Sequence, residues 1–167
     1  MVQEKGIRKA TFEEIPLIRT LALAIWPKAF EAILTPAQIE YMLDMMYSES
    51  ALQKDMKRGV EYYILTVDGK DNGYTAIENS GRNGYKLHKI YLSQSLQGKG
   101  LGKFLITEME KIVKAYCASY LRLNVNRENK AVDFYKSRGY EIVKTEDIDI
   151  GGGFFMNDYV MEKKLDH

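Results

Sequence analysis

Apolar residues recur every three or four positions in the first third of the chain, a spacing that is typical of amphipathic helices. A short strand is expected at residues 6–10, before a capping box formed by Thr11 and Glu14. The apolar series after this box predicts the first helix and comprises Ile15, Ile18, Ala22 and Ile25. A second capping box, residues 35–38, predicts a second helix, and a shorter one is expected at about residues 49–57.

The pattern then changes to that of β-strands. Residues 60–67 are rich in β-branched and aromatic side chains, and similar segments occupy residues 74–78 and 85–92. The turn dipeptides Asp68-Gly69 and Asn72-Gly73, and a glycine-containing segment at residues 80–84, separate these segments. Three strands joined by tight turns predict an antiparallel meander.

In the last third of the chain, segments with the helical spacing of apolar residues alternate with segments typical of strands. Helices are predicted at residues 102–114 and 129–138, and strands at residues 121–125, 140–144 and 154–163. This order predicts an α/β fold in which helices cover both faces of a mixed sheet. The chain shows no linker and no repeat, so we expect one domain spanning residues 1–167.

Composition narrows the class of protein. The single cysteine excludes an internal disulfide and a thiolate cluster for a metal, so no metal is expected. The net charge of +1 offers no basic field for a nucleic acid, and the longest run without a charged residue, residues 90–98, is too short to span a membrane. We therefore expect a cytoplasmic domain that acts on a small molecule, without nucleic-acid or membrane partners.

A glycine-rich turn at residues 97–103 is the most informative segment. Gly98, Gly100 and Gly102 allow close approach of a ligand to the backbone, and the helix that follows adds free N–H groups and a partial positive charge. These features, with Lys99 and Lys103, favour binding of a phosphate or pyrophosphate. The spacing matches neither a Walker loop nor a dinucleotide-binding fingerprint, and a turn without a ligand remains an alternative.

The same turn carries a family resemblance. Gln97-x-x-Gly100-x-Gly102 after a strand resembles the [QR]-x-x-G-x-[GA] motif of the GNAT superfamily of acyl-CoA-dependent N-acyltransferases. Residues 126–131, followed by Phe134-Tyr135 and Gly139-Tyr140, are similar to the second motif of that family. The two segments occur in the family's order, and the resemblance extends over residues 7–165.

The resemblance implies acetyl-CoA as cosubstrate and a GNAT-type fold. In that fold about seven mostly antiparallel strands form the sheet, and the fourth and fifth strands splay apart around the pantetheine arm. The implied pantetheine-binding backbone belongs to Ile90, Tyr91 and Leu92. The implied pyrophosphate-binding residues are Gln97, Gly98, Lys99, Gly100, Leu101, Gly102 and Lys103. The resemblance also implies that the rest of the CoA molecule contacts Asn129, Ala131, Tyr135 and Lys136.

Two residues are candidates for proton transfer. Tyr135 matches the family tyrosine that protonates the departing thiolate, and a phenol is protonated at neutral pH; the alternative is an aromatic residue of the core. His88 matches a histidine found in arylalkylamine-specific members, where it carries protons away through water. Many members instead have a glutamate where this chain has Lys86. A two-residue period would place Lys86, His88, Ile90 and Leu92 on one face, and a half-buried structural histidine is the alternative. His167 is terminal and expected to be disordered.

Other residues carry weaker hypotheses. A structural role is expected for Cys117, although an acetylated cysteine is conceivable chemistry. Trp26 and Phe30, with Pro27 between them, suggest a helix bend or end beside a small apolar acceptor pocket, which Tyr62 and Tyr74 could also face. Acidic residues that could attract an amine are Glu31, Glu40, Asp44 and Glu78. The segment 151–161 is similar to the last strands of bacterial polyamine acetyltransferases, and its glycines suggest a loop over the acceptor or a bend.

The leading hypothesis is therefore an acetyl-CoA-dependent N-acetyltransferase. It would move the acetyl group to a primary amine by direct attack in a ternary complex, on a small molecule such as a polyamine. The alternatives are a protein N-terminal or lysine acetyltransferase and a non-catalytic acyl-CoA-binding sensor domain. A homodimer is compatible with the family resemblance.

Overall fold

The computed structural model describes residues 3–166, so the expectation for His167 lies outside the described residues. The strands are β1 (Lys5–Lys9), β2 (Glu61–Val67), β3 (Lys70–Gly81), β4 (Gly84–Leu92), β5 (Tyr120–Asn126), β6 (Glu141–Gly151) and β7 (Phe154–Lys164). The helices are α1 (Ile15–Phe30), α2 (Pro36–Tyr47), α3 (Glu49–Arg58), α4 (Leu101–Ala115) and α5 (Ala131–Ser137). Short 3₁₀ turns at Phe12–Glu14 and Gln94–Leu96 precede α1 and α4.

The seven strands form one sheet in the order β1-β2-β3-β4-β5-β7-β6. Every neighbouring pair is antiparallel except β4 and β5, which run parallel. The predicted mixed sheet and its antiparallel meander, β2 to β4, are confirmed.

Helices cover both faces of the sheet, as predicted. On the first face α1, α2 and α3 pack against side chains such as Tyr62 and Ile64 of β2. On the second face α4 and α5 pack against the alternate residues of the same strand, Tyr63 and Leu65. The period of two along β2 therefore divides the core into two layers.

Two sequence predictions about local structure need correction. Asn72-Gly73 lies inside β3 rather than in a turn, because β2 and β4 pair with both edges of this segment. The helix α1 continues through Pro27 to Phe30 instead of ending there. Pro27 has no N–H to donate to the carbonyl of Leu23, four residues earlier. Leu23 lies on the exposed side of the helix, where water can bond to this carbonyl instead.

The predicted helix starts are largely confirmed. The Glu14 carboxylate accepts a hydrogen bond from the Thr11 N–H at 3.1 Å, as a capping box requires. The Thr35 hydroxyl accepts from the Gln38 N–H at 3.2 Å. The Gln38 side chain does not return to Thr35 but donates to the carbonyl of Phe155 at 2.8 Å, so the second capping box is half formed.

The strand β4 contains a bulge at His88. Ala76 of β3 pairs with Lys89 and Ile77 pairs with Leu87, which leaves His88 as an extra residue. A bulge of this kind interrupts the alternation of side chains along a strand.

The bulge overturns one prediction about the site. Lys86 and His88 line a cavity on the first face of the sheet. Ile90 and Leu92 instead pack on the second face, beside α4. The four residues predicted to share one face are therefore divided between the two faces.

Candidate active site

The glycine-rich turn lies on the surface between the 3₁₀ turn at Gln94–Leu96 and α4. Gly98 and Gly100 have φ angles of 79° and 76°, in the left-handed region that favours glycine. A Cβ atom built at either position has no heavy atom within 4 Å, so open space lies beside both residues. Within residues 3–166, the N–H groups of Gly98, Lys99 and Gly100 have no hydrogen-bond partner.

The first turn of α4 adds further donors to this surface. The N–H groups of Leu101, Gly102 and Lys103 have no acceptor within the helix, as at every helix N-terminus. Lys99 and Lys103 are exposed and contribute positive charge, whereas the Leu101 side chain is buried in the core. Leu101 can therefore contribute its amide to a ligand, and its side chain fixes the start of the helix.

A split opens between β4 and β5 next to this turn. The two strands pair over only four residues, from Gly84 with Tyr120 to Leu87 with Leu123. Both strands then continue, β4 to Leu92 and β5 to Asn126, without further pairing between them. The predicted splayed cleft is therefore present, and the edge of β4 from Ile90 to Leu92 that faces β5 is unpaired.

On its other edge, the segment of β4 from Ile90 to Leu92 pairs with β3. Tyr91 pairs with Tyr74, and Leu92 pairs with Gly73. A Cβ atom at Gly73 would lie 2.6 Å from the Tyr91 carbonyl oxygen, a distance that requires the strands to move apart. Glycine at this position therefore allows β3 to fix the backbone of β4 beside the split.

Tyr135 of α5 reaches the split from the second face. Its side chain is buried beside Phe134 and Tyr140, and burial raises the pKa of the Tyr135 phenol. Its hydroxyl has no hydrogen-bond partner in the described part of the chain. Since no fully buried side-chain polar atom there lacks a partner, the hydroxyl reaches open space. Burial chiefly raises the pKa of the Tyr91 phenol, and the nearby Tyr135 hydroxyl adds to this effect.

The other predicted CoA-binding residues surround the start of α5. The Asn129 side-chain oxygen accepts a hydrogen bond from the Ala131 N–H at 2.9 Å, which leaves its NH₂ group for a ligand. Lys136 is exposed on the same helix. Phe134 lies near Gly102, since a Cβ there would contact its ring at 3.6 Å. The two motifs of the sequence therefore meet in space.

A cavity of about 290 Å³ lies on the first face, beside the paired end of β4 and β5. α2 and α3 form one wall, the bulged part of β4 and Asn124 of β5 form the floor, and Ile148 and Met156 of the β6–β7 hairpin close the remaining side. The complete lining is Met45, Met46, Ala51, Asp55, Arg58, Lys86, Leu87, His88, Lys89, Asn124, Ile148 and Met156. The split thus has the glycine-rich turn and Tyr135 on one side and this cavity on the other.

The glycine run forms the turn of the β6–β7 hairpin, and this turn is docked on α2. The Tyr41 hydroxyl donates to the Ile150 carbonyl at 2.7 Å, and the Tyr41 ring lies 5.2 Å from that of Phe154. Gly151, Gly152 and Gly153 all have positive φ angles. Of the two alternatives for this segment, the structure therefore shows a tight turn that holds the hairpin beside the cavity.

His88 lies at the cavity and pairs with an acid. Its Nε2 lies 2.8 Å from Glu78 Oε1, and the other carboxylate oxygen of Glu78 accepts from Arg58 at 2.8 Å. Burial lowers the pKa of His88 below its ordinary value, and the Glu78 hydrogen bond opposes this effect. Arg58, and to a smaller extent His88, lower the pKa of Glu78.

Lys89 is a residue that sequence reasoning missed. Its side chain is 6% exposed, and its Nζ lies 2.5 Å from the Tyr62 hydroxyl and 3.6 Å from Asp55 Oδ2. The ammonium group also lies 4.3 Å from the centre of the Tyr47 ring. Burial lowers the pKa of Lys89 to about 8. The sequence pattern predicts an exposed side chain for a lysine in a strand, whereas the bulge places Lys89 on the first face, beneath α3.

Several weaker candidates lie elsewhere. Glu31, Glu40 and Asp44 line a larger groove of about 620 Å³ between α1 and α2, which contains none of the residues predicted for CoA binding or proton transfer. Cys117 is exposed in the connection between α4 and β5. This connection lies at the end of the sheet where β4 and β5 are paired, away from the split.

The aromatic residues of α1 and the central strands form a buried layer beside the split. The Trp26 indole N–H donates to the hydroxyl groups of Tyr47 and Tyr74, both at 3.1 Å. The Tyr91 ring lies 5.4 Å from Trp26 and 5.6 Å from Tyr74. The predicted acceptor-side aromatics therefore support Tyr91 rather than lining the cavity.

Two further properties concern the described residues as a whole. None of the helices in residues 3–166 is long and apolar enough to cross a membrane. In the same part of the chain, no group of three or more His, Cys, Asp or Glu side chains is arranged to hold a metal ion.

Comparison with known proteins gives a consistent result. Residues 31–162 match the model of the acetyltransferase (GNAT) domain family. An uncharacterized N-acetyltransferase of Lactobacillus delbrueckii subsp. lactis is 30% identical over 78% of this chain and 80% of its own length. The spermidine N(1)-acetyltransferase of Thermoplasma acidophilum is 25% identical over 96% of this chain and 97% of its own length.

A solved structure supports the same assignment. The PaiA N-acetyltransferase of Thermoplasma acidophilum, determined in complex with coenzyme A, is 26% identical and superimposes with a TM-score of 0.81. The alignment covers 96% of this chain and 99% of that protein. With a parallel β4–β5 pair that parts beside a glycine-rich turn, and with this family match over most of its length, the chain belongs to the GNAT family of N-acetyltransferases and uses acetyl-CoA.

Proposed function

We propose that this protein transfers the acetyl group of acetyl-CoA to a primary amine of a small molecule by direct attack in a ternary complex. The observation that carries the proposal is the split between β4 and β5, which has the glycine-rich turn and Tyr135 on one side and a cavity on the other. This arrangement lets both substrates reach the split together, from different sides, without an acetylated enzyme.

In the proposed complex the pyrophosphate binds the amides of residues 98–103, with Lys99 and Lys103 nearby. Free N–H groups at a helix start suit an anion because their partial positive charge is not neutralised within the protein. The pantetheine arm then follows the unpaired edge of Ile90, Tyr91 and Leu92. The Asn129 NH₂ group and Ala131 border the arm, and Lys136 lies beside the remaining CoA surface.

The proposed chemistry takes place at the thioester carbonyl. The amine nitrogen forms a bond to the carbonyl carbon, and the carbonyl electron pair moves to the oxygen, which a backbone N–H near Leu92 stabilises. The C–S bond then breaks, and the thiolate takes a proton from the Tyr135 hydroxyl. Burial supports this role, since the raised pKa keeps Tyr135 protonated at neutral pH.

The relatives and the cavity favour different acceptors. The spermidine acetyltransferase relative supports a polyamine. The cavity lining supports a second candidate, an amine that also carries an anionic group, because it includes Arg58, Lys86 and Lys89. Asp55 in the lining and Glu78 behind it pair with Arg58, which leaves Lys86 as the cation without an ion-pair partner in the described residues. A polycation would be repelled by this lining unless it is held outside the cavity.

A thiol-release assay tests the proposal. Purified protein is incubated with acetyl-CoA and with spermidine, spermine, arylalkylamines, amino acids or peptides, and calorimetry measures CoA binding separately. Thiol release with a small amine supports the proposal, and the preferred amine decides between the two acceptor classes. Release with peptides alone favours a protein acetyltransferase, and CoA binding without release favours a sensor domain.

A further inference from the structure

We propose that Asp158 is the general base of the reaction and takes the proton that the acceptor amine must lose. This inference rests on the proposed acetyl transfer to an amine, and it concerns a residue outside both sequence motifs. The geometry around the Asp158 carboxylate carries it.

Asp158 lies on the first face of the sheet, next to the cavity. It is two residues after Met156 on β7, so the period of two places both side chains on one face. Its neighbour Asn124 on β5 donates to Asp158 Oδ2 at 3.3 Å. Both Met156 and Asn124 line the cavity, so the carboxylate adjoins the space proposed for the acceptor.

The carboxylate is enclosed but not fully satisfied. Asp158 is 3% exposed, and the buried polar or charged side chains among residues 3–166 are Thr75, Lys89 and Asp158. Apart from the Asn124 side chain, which bonds to Oδ2, the carboxylate has no hydrogen-bond partner in this part of the chain. Since no fully buried side-chain polar atom there lacks a partner, Oδ1 is not completely enclosed by the protein. A buried carboxylate with one free oxygen is suited to accept a proton from a ligand.

Asp158 also lies near the proposed thioester position. Asp158 pairs with Asn126, at the end of β5 that has parted from β4. Burial chiefly raises the pKa of Tyr91, and Tyr135 and Asp158 are both near enough to raise it further. Tyr135 approaches from the second face and Asp158 from the first. This opposition suits the reaction, because the amine arrives on one side of the carbonyl while the thiolate leaves near the other.

Burial and the neighbouring polar groups act on the pKa of Asp158 in opposite directions. Burial raises the pKa of Asp158 and the Asn124 hydrogen bond lowers it. Glu146 of β6, which pairs with Asp158 in register, raises the pKa further, whereas Lys86 of β4 and Arg127 lower it. A carboxylate with a raised pKa is a stronger base than an exposed one.

The proton transfers balance over the cycle. Asp158 Oδ1 first takes one proton from the ammonium group, which frees the nitrogen lone pair, and passes this proton to water. As the N–C bond forms, the nitrogen gives its second, surplus proton to the same oxygen. The C–S bond then breaks, and the departing sulfur takes the Tyr135 proton. Asp158 releases its proton to water and Tyr135 regains one, so an ammonium substrate yields the amide, CoA thiol and one proton.

The first experiment measures Asp158→Asn in the full chain, with acetyl-CoA and the best amine of the panel. We expect kcat/KM at pH 7 to fall by about 10²–10⁴-fold while the Kd for CoA changes less than twofold. Wild-type activity should be nearly constant from pH 7 to 9. The activity of Asp158→Asn should rise about tenfold per pH unit, because only amine that is already deprotonated reacts.

Two control variants separate Asp158 from its neighbours. Glu146→Gln removes the carboxylate that faces Asp158 from β6, so the acidic limb of kcat/KM should move to lower pH while activity between pH 7 and 9 stays within threefold of wild type. His88→Gln removes the competing candidate base and should keep the flat profile from pH 7 to 9. Asp158→Asn activity within threefold of wild type, or a lost plateau in His88→Gln alone, overturns the assignment.

A second variant tests the assignment if Asp158→Asn does not fold. Asn124→Leu removes the hydrogen bond that lowers the pKa of Asp158, so the acidic limb of kcat/KM should move to higher pH. An unmoved limb contradicts the proposal. Absence of thiol release by wild type with every amine overturns the proposed function as well, whereas the other outcomes overturn the role of Asp158 alone.

Discussion

Replacing Lys89 with methionine should make the protein more stable at neutral pH. The Lys89 ammonium is buried, and burial lowers the pKa of Lys89 from 10.5 to about 8. Since one pKa unit corresponds to about 1.4 kcal/mol, the folded protein holds this charge at a cost of about 3 kcal/mol. In the Lys89→Met variant Asp55 keeps the Tyr62 hydroxyl at 2.6 Å and Arg58 at 3.4 Å, so no carboxylate loses all its partners. We expect a gain of about 2 kcal/mol.

The pH dependence gives a sharper test than the stability at one pH. Between pH 8 and 10.5 the unfolded chain keeps the Lys89 proton while the folded protein has lost it, so wild-type stability rises with pH. Between pH 7 and pH 9.5 the titration of Lys89 raises the free energy of unfolding of the wild type by about 2 kcal/mol. The Lys89→Met variant lacks this increase. Ionisation of tyrosines in the unfolded chain begins near pH 10 and is common to both proteins.

Urea unfolding at pH 7 and pH 9.5 measures both effects. Trp26 is the only tryptophan and is buried, so its fluorescence reports unfolding. Lys57→Met removes the same charge from an exposed position of α3 and should follow wild type. Parallel pH dependences for wild type and Lys89→Met, or a variant that is less stable at pH 7, would refute the reasoning.

Three further predictions concern CoA and the split. Tyr135→Phe should lower turnover about 10²-fold with unchanged CoA binding, measured by thiol release and calorimetry; unchanged turnover removes Tyr135 from the mechanism. Gly100→Val should weaken CoA binding more than Gly69→Val, a control with a similar φ of 78° and equally open surroundings, and equal Kd values for CoA contradict this. Gly73→Ala should destabilise the fold by at least about 1 kcal/mol in urea and weaken CoA binding, because its Cβ displaces Tyr91; wild-type values in both measurements would show that β3 and β4 can part freely.

The sequence was sufficient for features that depend on neighbouring residues. Helix starts such as Thr11 and Thr35 depend on side chains within one turn, and strand and helix periods depend on residues a few positions apart. The glycine-rich turn is likewise a local feature, because Gly98 and Gly100 adopt positive φ angles that few other residues tolerate. These local patterns determined the fold class, and with the second motif they indicated the family.

The tertiary structure decided which side chains meet at the split. The bulge at His88 depends on the pairing of β4 with β3, and it reverses the side of the sheet on which Ile90 and Leu92 lie. Lys89 is buried against Tyr62 of β2, Tyr47 of α2 and Asp55 of α3, which are all distant in sequence. Asp158 meets Asn124 across the pairing of β5 with β7, from positions 34 residues apart. Strand register and burial arise from contacts between distant segments, and the spacing of residues along the chain does not encode them directly.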